Sequence, residues 1–173
     1  MPLQNLALIL GGAASGKSAF AEGLVTGLGQ PRAYLATAQA WDEEMQARIA
    51  RHREARGPAW RTVEAPLDLA RALRDVTREE AVLVDCATLW LSNRMLAGDD
   101  LPAAEAELLA ALAACPAPVA VVSNEVGLGI VPDSALGRRF RDAQGGLNQR
   151  LAAQADLVVF VAAGLPLVLK GSL

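Results

Sequence analysis

The chain has 173 residues, 53% of them hydrophobic, which suffices for one domain with a sizeable core and requires no second one. Only 4% are aromatic, so that core must be filled by Ala, Leu and Val, as where helices pack closely on a parallel sheet. A net charge of −3 and a pI near 5.2 argue against nucleic acid as the main partner.

Short apolar runs alternate with segments of helical period, the pattern of βαβ units. The first strand, Leu6–Leu10, leads through a glycine loop into a helix over Lys17–Thr26. A strand at Ala33–Ala36 precedes a helix over Trp41–Arg56, and Arg61–Glu64 forms a short extended piece. A helix over Leu67–Val76 then leads to a strand at Ala81–Val84, and a helix over Ala103–Ala114 to a strand at Val119–Val122. Pro132 and Ser134 open a last helix, on which Leu136, Phe140, Ala143, Leu147 and Leu151 recur at spacings of three and four as one apolar stripe. Gly145-Gly146 interrupts that helix, each glycine costing about 1 kcal/mol relative to alanine. A strand at Leu157–Ala162 ends the series, and no repeat or linker divides residues 1–173. The expected fold is therefore a single α/β domain with a mainly parallel sheet flanked by helices.

The longest apolar stretch, Leu157 to Leu169, contains Gly164 and Pro166 and is too short to span a bilayer. Cys86 and Cys115 are too few for a disulfide framework and read as reduced thiols. No basic segment of signal-peptide type precedes Leu6. A soluble, cytoplasmic protein is expected.

Gly11-Gly12-Ala13-Ala14-Ser15-Gly16-Lys17-Ser18 matches the phosphate-binding loop G-x-x-x-x-G-K-[ST], with the required strand before it and helix after it. Glycines let backbone N–H groups turn inward around phosphate oxygens, and the helix N-terminus adds partial positive charge. In this role Lys17 bridges the terminal phosphates, as an exposed loop lysine contributing little to the core, and Ser18 places its hydroxyl on Mg²⁺. The competing reading is an ordinary glycine-rich turn. Asp85 ends an apolar strand at the carboxyl edge, where open α/β sheets bind ligands; it is expected to support the metal, the alternative being a surface acid at a strand end.

His52 is the only histidine. Met45, Ile49 and His52 fall at i, i+4 and i+7, which turns the imidazole toward the apolar face of its helix. On its own this placement fits a packed or surface histidine. The arginines around it, Arg48, Arg51, Arg53 and Arg56, also suit binding of phosphates under attack by a neutral imidazole nucleophile.

Taken together, the sequence resembles the bifunctional adenosylcobinamide kinase / adenosylcobinamide-phosphate guanylyltransferase family of cobalamin biosynthesis, over nearly its whole length. The resemblance rests on Leu10–Ser18, Tyr34–Ala38, Asp42–Met45, Arg48–Arg53, Trp60–Glu64 and Val84–Asn93, and further on Ser123–Pro132, Arg138–Asp142, Leu147–Arg150 and Gly164–Gly171. The histidine helix together with the Asn124-Glu125-Val126-Gly127 segment is far more restrictive than the phosphate loop alone.

The resemblance implies a recombinase-like P-loop NTPase domain, a homotrimer, and a covalent guanylyl-histidine at His52. It implies ATP and GTP as substrates with Mg²⁺, and adenosylcobinamide and adenosylcobinamide phosphate as acceptors. The guanine-nucleotide site is carried over to Gly11–Ser18, to Ala36, Thr37 and Ala38, to Arg53, Glu54, Ala55 and Arg56, and to Glu64 and Asp85. Two positions depart from the family pattern: Gly57 separates Arg56 from Pro58, and Gly146 stands where an arginine is common. A P-loop kinase of another small molecule, or a nucleotide-dependent switch, would share the loop without a covalent nucleotide.

Overall fold

A computed structural model describes residues 5–39 and 59–173; the helix predicted over Trp41–Arg56, with His52, Arg53, Glu54, Ala55 and Arg56, lies outside them. Seven strands, β1 (Leu6–Gly11), β2 (Arg32–Ala36), β3 (Trp60–Glu64), β4 (Ala81–Asp85), β5 (Val119–Asn124), β6 (Leu157–Ala162) and β7 (Leu165–Lys170), form one sheet in the order β3-β2-β4-β5-β1-β6-β7. Every neighbouring pair is parallel except β6 with β7.

The central strands are apolar on both faces because both faces are covered. Successive side chains point to opposite sides. Leu6, Leu8 and Leu10 of β1 therefore join one core with Leu35, Val82, Val84, Val119 and Val121. That side is covered by α2 (Leu69–Arg74), α3 (Ala87–Leu96), α4 (Leu101–Ala114) and α5 (Ala135–Gln154), which contribute Leu69, Leu73, Trp90, Leu91, Leu108, Leu147 and Leu151. Ala7 and Ile9 face the other way, where Tyr34, Leu83, Val122 and Val159 pack with Ala21 and Val25 of α1 (Lys17–Thr26). Among the described residues no helix is long and apolar enough to cross a membrane.

Local chemistry sets the helix starts. Asp100 accepts a hydrogen bond from the Ala103 N–H at 3.2 Å, with Pro102 in the first turn of α4. Ser134 accepts from Gly137 N–H at 3.0 Å and caps α5. These are the residue types that best satisfy the orphan donors of a first turn.

Four expectations are corrected. Residues 87–96 form a helix that hydrophobic periodicity did not announce; its cap is a cysteine, the Cys86 Sγ accepting from Leu89 N–H at 3.4 Å. The helix expected over Leu67–Val76 is confined to Leu69–Arg74. Residues 165–170, read only as part of an apolar stretch, form β7. The hairpin turns on Ala163 and Gly164, both at positive φ (51° and 77°), as right-twisted two-residue hairpins require. Pro166 is tolerated because β7 is an edge strand.

The fourth correction is at α5, which runs unbroken through Gly145 and Gly146. Gln144, Leu147, Asn148 and Leu151 are buried, so tertiary packing outweighs the glycine penalty. The space beside Gly146 is occupied: a Cβ there would lie 3.3 Å from the Arg150 guanidinium, which is paired with the buried carboxylate of Glu105. The predicted stripe is also only partly inward, since Leu136 is 52% exposed while Leu147 is 0% exposed. Leu147→Ala should therefore cost about 3 kcal/mol of stability by leaving a cavity, whereas Leu136→Ala should stay within about 0.5 kcal/mol; urea denaturation of the two variants measures the contrast.

Candidate active site

The carboxyl ends of the six parallel strands converge on one edge, and the phosphate loop lies there at the end of β1. Gly11 closes the strand in register with Asn124 of β5 and Val161 of β6. A Cβ at Gly11 would stand 2.6 Å from the Val161 carbonyl oxygen and closer still to Ser15 Oγ. Only glycine permits that approach. The loop then turns through left-handed conformations at Ala14 (φ 54°) and Gly16 (φ 94°), with Ser15 N–H donating to the Gly12 carbonyl at 3.4 Å. The amides of Lys17 and Ser18 belong to the first turn of α1 and have no carbonyl a turn behind them in the helix. They are the natural anion donors of such a loop.

Lys17 differs from the sequence expectation. It is 9% exposed, not a solvated loop lysine, and its Nζ donates to the Gly12 carbonyl at 3.0 Å. The ammonium is thereby held within the loop, and almost the whole side chain is buried. Ser15 Oγ is buried without a hydrogen-bond partner among the described residues. From the far side, Gly164 N–H donates to the Ser15 carbonyl at 2.8 Å, so the β6–β7 turn buttresses the loop.

Asp85 ends β4, which β5 alone separates from β1, two strand spacings or about 10 Å away. Its Oδ2 accepts from the Tyr34 hydroxyl at 2.9 Å, which fixes the carboxylate's orientation. Ala36 of β2 is in register with Asp85 on one side and Glu64 of β3 on the other, so these three predicted site residues form a row along the edge. Thr37 follows Ala36 and is fully buried. Its hydroxyl accepts from Cys86 N–H and donates to the Cys86 carbonyl, both at 2.7 Å. Asn93 Nδ2 donates to the Thr37 carbonyl at 2.8 Å. Thr37 is thus a clasp between β2 and β4, and Ala38 is half-buried beyond it. The proximity of Arg53, Glu54, Ala55 and Arg56 to this row lies outside the described residues.

A buried polar cluster beside Gly11 was not singled out from the sequence. Ser123 Oγ donates to Asn148 Oδ1 at 2.6 Å and accepts from Gln144 Nε2 at 2.9 Å. Thr88 Oγ1 accepts from Asn124 N–H at 2.7 Å, and Asn148 Nδ2 donates to the Asn124 carbonyl at 3.1 Å. Three elements, α3, β5 and α5, are thereby locked to the strand end that pairs with the phosphate loop. The available signal was two polar residues, Ser123 and Asn124, directly after the apolar Val119–Val122 run.

A family model described as cobinamide kinase / cobinamide phosphate guanyltransferase matches residues 7–169. The "bifunctional adenosylcobalamin biosynthesis protein CobP" of Pseudomonas aeruginosa is 48% identical, with 95% of this chain and 96% of that protein covered. The corresponding Escherichia coli protein, CobU, is 43% identical over 94% of this chain and 98% of its own length. Among solved structures, the RadB recombinase has a TM-score of 0.55 at 18% identity, covering 90% of this chain and 73% of that one. The flagellar accessory protein FlaH of Methanocaldococcus jannaschii also reaches 0.55, at 13% identity, covering 99% of this chain and 80% of that one. These two likenesses show the recombinase-like P-loop fold.

Burial pushes the Cys86 thiol up to about 11, and the adjacent Asp85 carboxylate adds to the rise. Near pH 8 only about a thousandth of it is thiolate, the reactive form. Native protein should therefore shield Cys86 from a thiol-reactive disulfide dye at pH 8 and expose it on unfolding, with the native rate climbing as pH approaches 11. Peptide mapping of the labelled residue reads this; rapid native labelling of Cys86 at pH 8 would contradict the burial.

Proposed function

Because the chain belongs to the cobinamide kinase / cobinamide phosphate guanyltransferase family, we propose that it catalyses two successive transfers on one corrinoid. In the first, the terminal phosphate of ATP or GTP passes to the aminopropanol hydroxyl of adenosylcobinamide. In the second, a ring nitrogen of His52 attacks the α-phosphorus of GTP and pyrophosphate leaves. An oxygen of adenosylcobinamide phosphate then attacks the same phosphorus, which frees His52 and yields adenosylcobinamide-GDP. A phosphoramidate is a reactive donor, so the intermediate keeps the transfer potential of GTP.

The observation that carries this reading is the loop at the carboxyl edge, closed on Gly11 and opening α1 with Lys17 and Ser18. Its role in both steps is to hold phosphates in place and offset their charge. The orphaned Ser15 hydroxyl is a group that a bound phosphate oxygen would satisfy. Ala36, Thr37, Ala38, Glu64 and Asp85 would supply the continuation of the same edge for the guanine nucleotide, and the family resemblance adds Arg53, Glu54, Ala55 and Arg56, the residues that follow His52 in the sequence.

Ser18 and Asp85 are the residues that would hold Mg²⁺, which neutralises charge on the transferring phosphoryl group when bound. The donor set fits that ion. Magnesium in phosphate sites takes one or two protein oxygens and draws the rest from phosphates and water, and the Ser18 hydroxyl and the Asp85 carboxylate are a donor set of that size. The free thiols Cys86 and Cys115 suit a reducing, cytoplasmic setting.

A homotrimer completes the proposal. Its support is β7, an edge strand exposed along its whole length, carrying Leu165, Leu167, Val168 and Leu169. An uncovered apolar edge is a ready site for pairing with another chain. Sedimentation at micromolar concentration should show a species larger than a monomer, and three chains if the closure is cyclic; a monomer would sink the assembly.

Two substitutions separate the half-reactions. Lys17→Met, chosen because the buried stem needs its volume filled, should lower both activities on the order of 10²-fold or more with the fold retained. His52→Ala should abolish covalent GMP labelling and guanylyl transfer while kinase activity persists, since phosphoryl transfer to a hydroxyl depends on the loop and not on that imidazole. Incubation with α-labelled GTP followed by a denaturing gel reads the covalent step. Label still attached in the His52→Ala protein would overturn the assignment, because the chain has no other histidine.

A further inference from the structure

Residues 125–134, between β5 and α5, carry exposed apolar side chains on a segment that starts beside the phosphate loop. Leu128 is 80% exposed and Ile130 95% exposed; Val131 is exposed with them, and so is Leu136 in the first turn of α5. A single exposed leucine needs no explanation, but a run of large side chains on one short loop does.

The loop is held at both ends. At its start, Glu125 N–H donates to the Gly11 carbonyl at 3.1 Å, and Glu125 Oε1 accepts from Gly127 N–H at 2.8 Å. The preceding Ser123-Asn124 pair is gripped by Thr88, Gln144 and Asn148. At its end, Arg138 Nη1 donates to the carbonyls of Pro132 and Asp133 at 2.9 and 2.7 Å. Between these clamps the hydrophobic tip is offered to solvent from a fixed base, one residue beyond the strand end paired with Gly11.

We infer that Leu128, Ile130 and Val131 form the platform on which the corrin macrocycle of cobinamide rests while its hydroxyl arm reaches the phosphate loop. This rests on the proposed function and names a binding surface for its acceptor. Any acceptor must put its hydroxyl at the terminal phosphate, so the rest of its body has to cover surface bordering the loop. Cobinamide is a broad macrocycle with apolar faces and an amide-bearing rim. The 125–134 segment borders the loop directly through the Gly11–Glu125 bond and offers an apolar patch next to backbone groups that can meet amides. The second apolar patch, on β7, is of another kind: it lies along an open strand edge whose unpaired backbone suits another polypeptide.

The test uses the full chain and two double variants, Leu128→Ser/Ile130→Ser and Leu128→Met/Ile130→Met. Equilibrium dialysis follows cobinamide by its visible absorbance; GTP binding, sedimentation and the kinase KM for cobinamide are measured on the same proteins. The serine pair should weaken cobinamide binding and raise its KM by about tenfold or more, with GTP affinity, melting temperature and sedimentation unchanged. The methionine pair should bind cobinamide nearly as wild type. Unchanged cobinamide affinity in the serine pair would overturn the inference alone. Loss of assembly in that variant would overturn it in favour of a subunit contact. A wild-type protein that neither binds nor phosphorylates cobinamide would overturn the proposed function and the platform together.

Discussion

The close approach at Gly11 is the constraint on which the rest of the site depends. With no side chain there, the end of β1 can lie against the Val161 carbonyl and under Ser15, and the chain can leave the sheet in the tight loop that opens α1. Everything else is placed relative to that exit. β5 and β6 flank β1 in parallel register, so Asn124 and Val161 flank Gly11. Parallel pairing also fixes Ala36, Glu64 and Asp85 as one row at the same edge. A single missing Cβ thus determines where the loop leaves the sheet, and the sheet determines what surrounds it.

Thr37, expected from the sequence to belong to the site, is also structural at this edge. Thr37 joins β2 to β4 through both backbone groups of Cys86, and the cluster of Ser123, Asn148, Gln144 and Thr88 joins α3 and α5 to β5. Buried polar groups of this kind are costly unless satisfied by partners. Their concentration next to the loop fits an edge that must hold its geometry without help from apolar packing. Away from the edge the polar content falls and the two cores are built almost wholly of Ala, Leu, Val and Ile, as the low aromatic share anticipates.

Much of this was legible in the sequence where one physical signal dominates. Leu157–Ala162 is a strand with the bounds that its apolar run suggests, and the loop of Gly11–Ser18 stands between strand and helix as its motif requires. Asp85 is at a strand end on the same edge, with β5 between its strand and β1. The misses arise where two signals compete. Residues 87–96 mix Thr88, Ser92 and Asn93 with apolar residues, because this helix buries Thr88 and Asn93 for hydrogen bonds, and a polar residue buried for its partners blurs the period. Pro166 argues against a strand unless the strand is known to be an edge. Gly145 and Gly146 argue against a helix unless the burial of Gln144 and Leu147 is known. Lys17 read as a surface residue because its motif says what the ammonium does and nothing about where the stem lies. For the helices and the edge strand the missing information is the identity of a neighbour far away in sequence; for Lys17 it is the turn of its own loop, whose Gly12 carbonyl takes the ammonium.

The β6–β7 turn couples two regions otherwise treated apart. Gly164 N–H holds the Ser15 carbonyl, and a Cβ on Gly16 would stand 3.1 Å from Gly164 Cα, so the hairpin that carries the exposed edge also touches the floor of the phosphate loop. Lys170, at the far end of β7, donates to the carbonyls of Ala152 and Ala153 in the last turn of α5, so the hairpin is fastened at both ends. The exposed edge and the loop are therefore joined by direct contacts through one short turn. Linkage makes any coupling along such a path reciprocal: were a second polypeptide to pair with this edge, it and a ligand at the loop would change each other's affinity by the same factor.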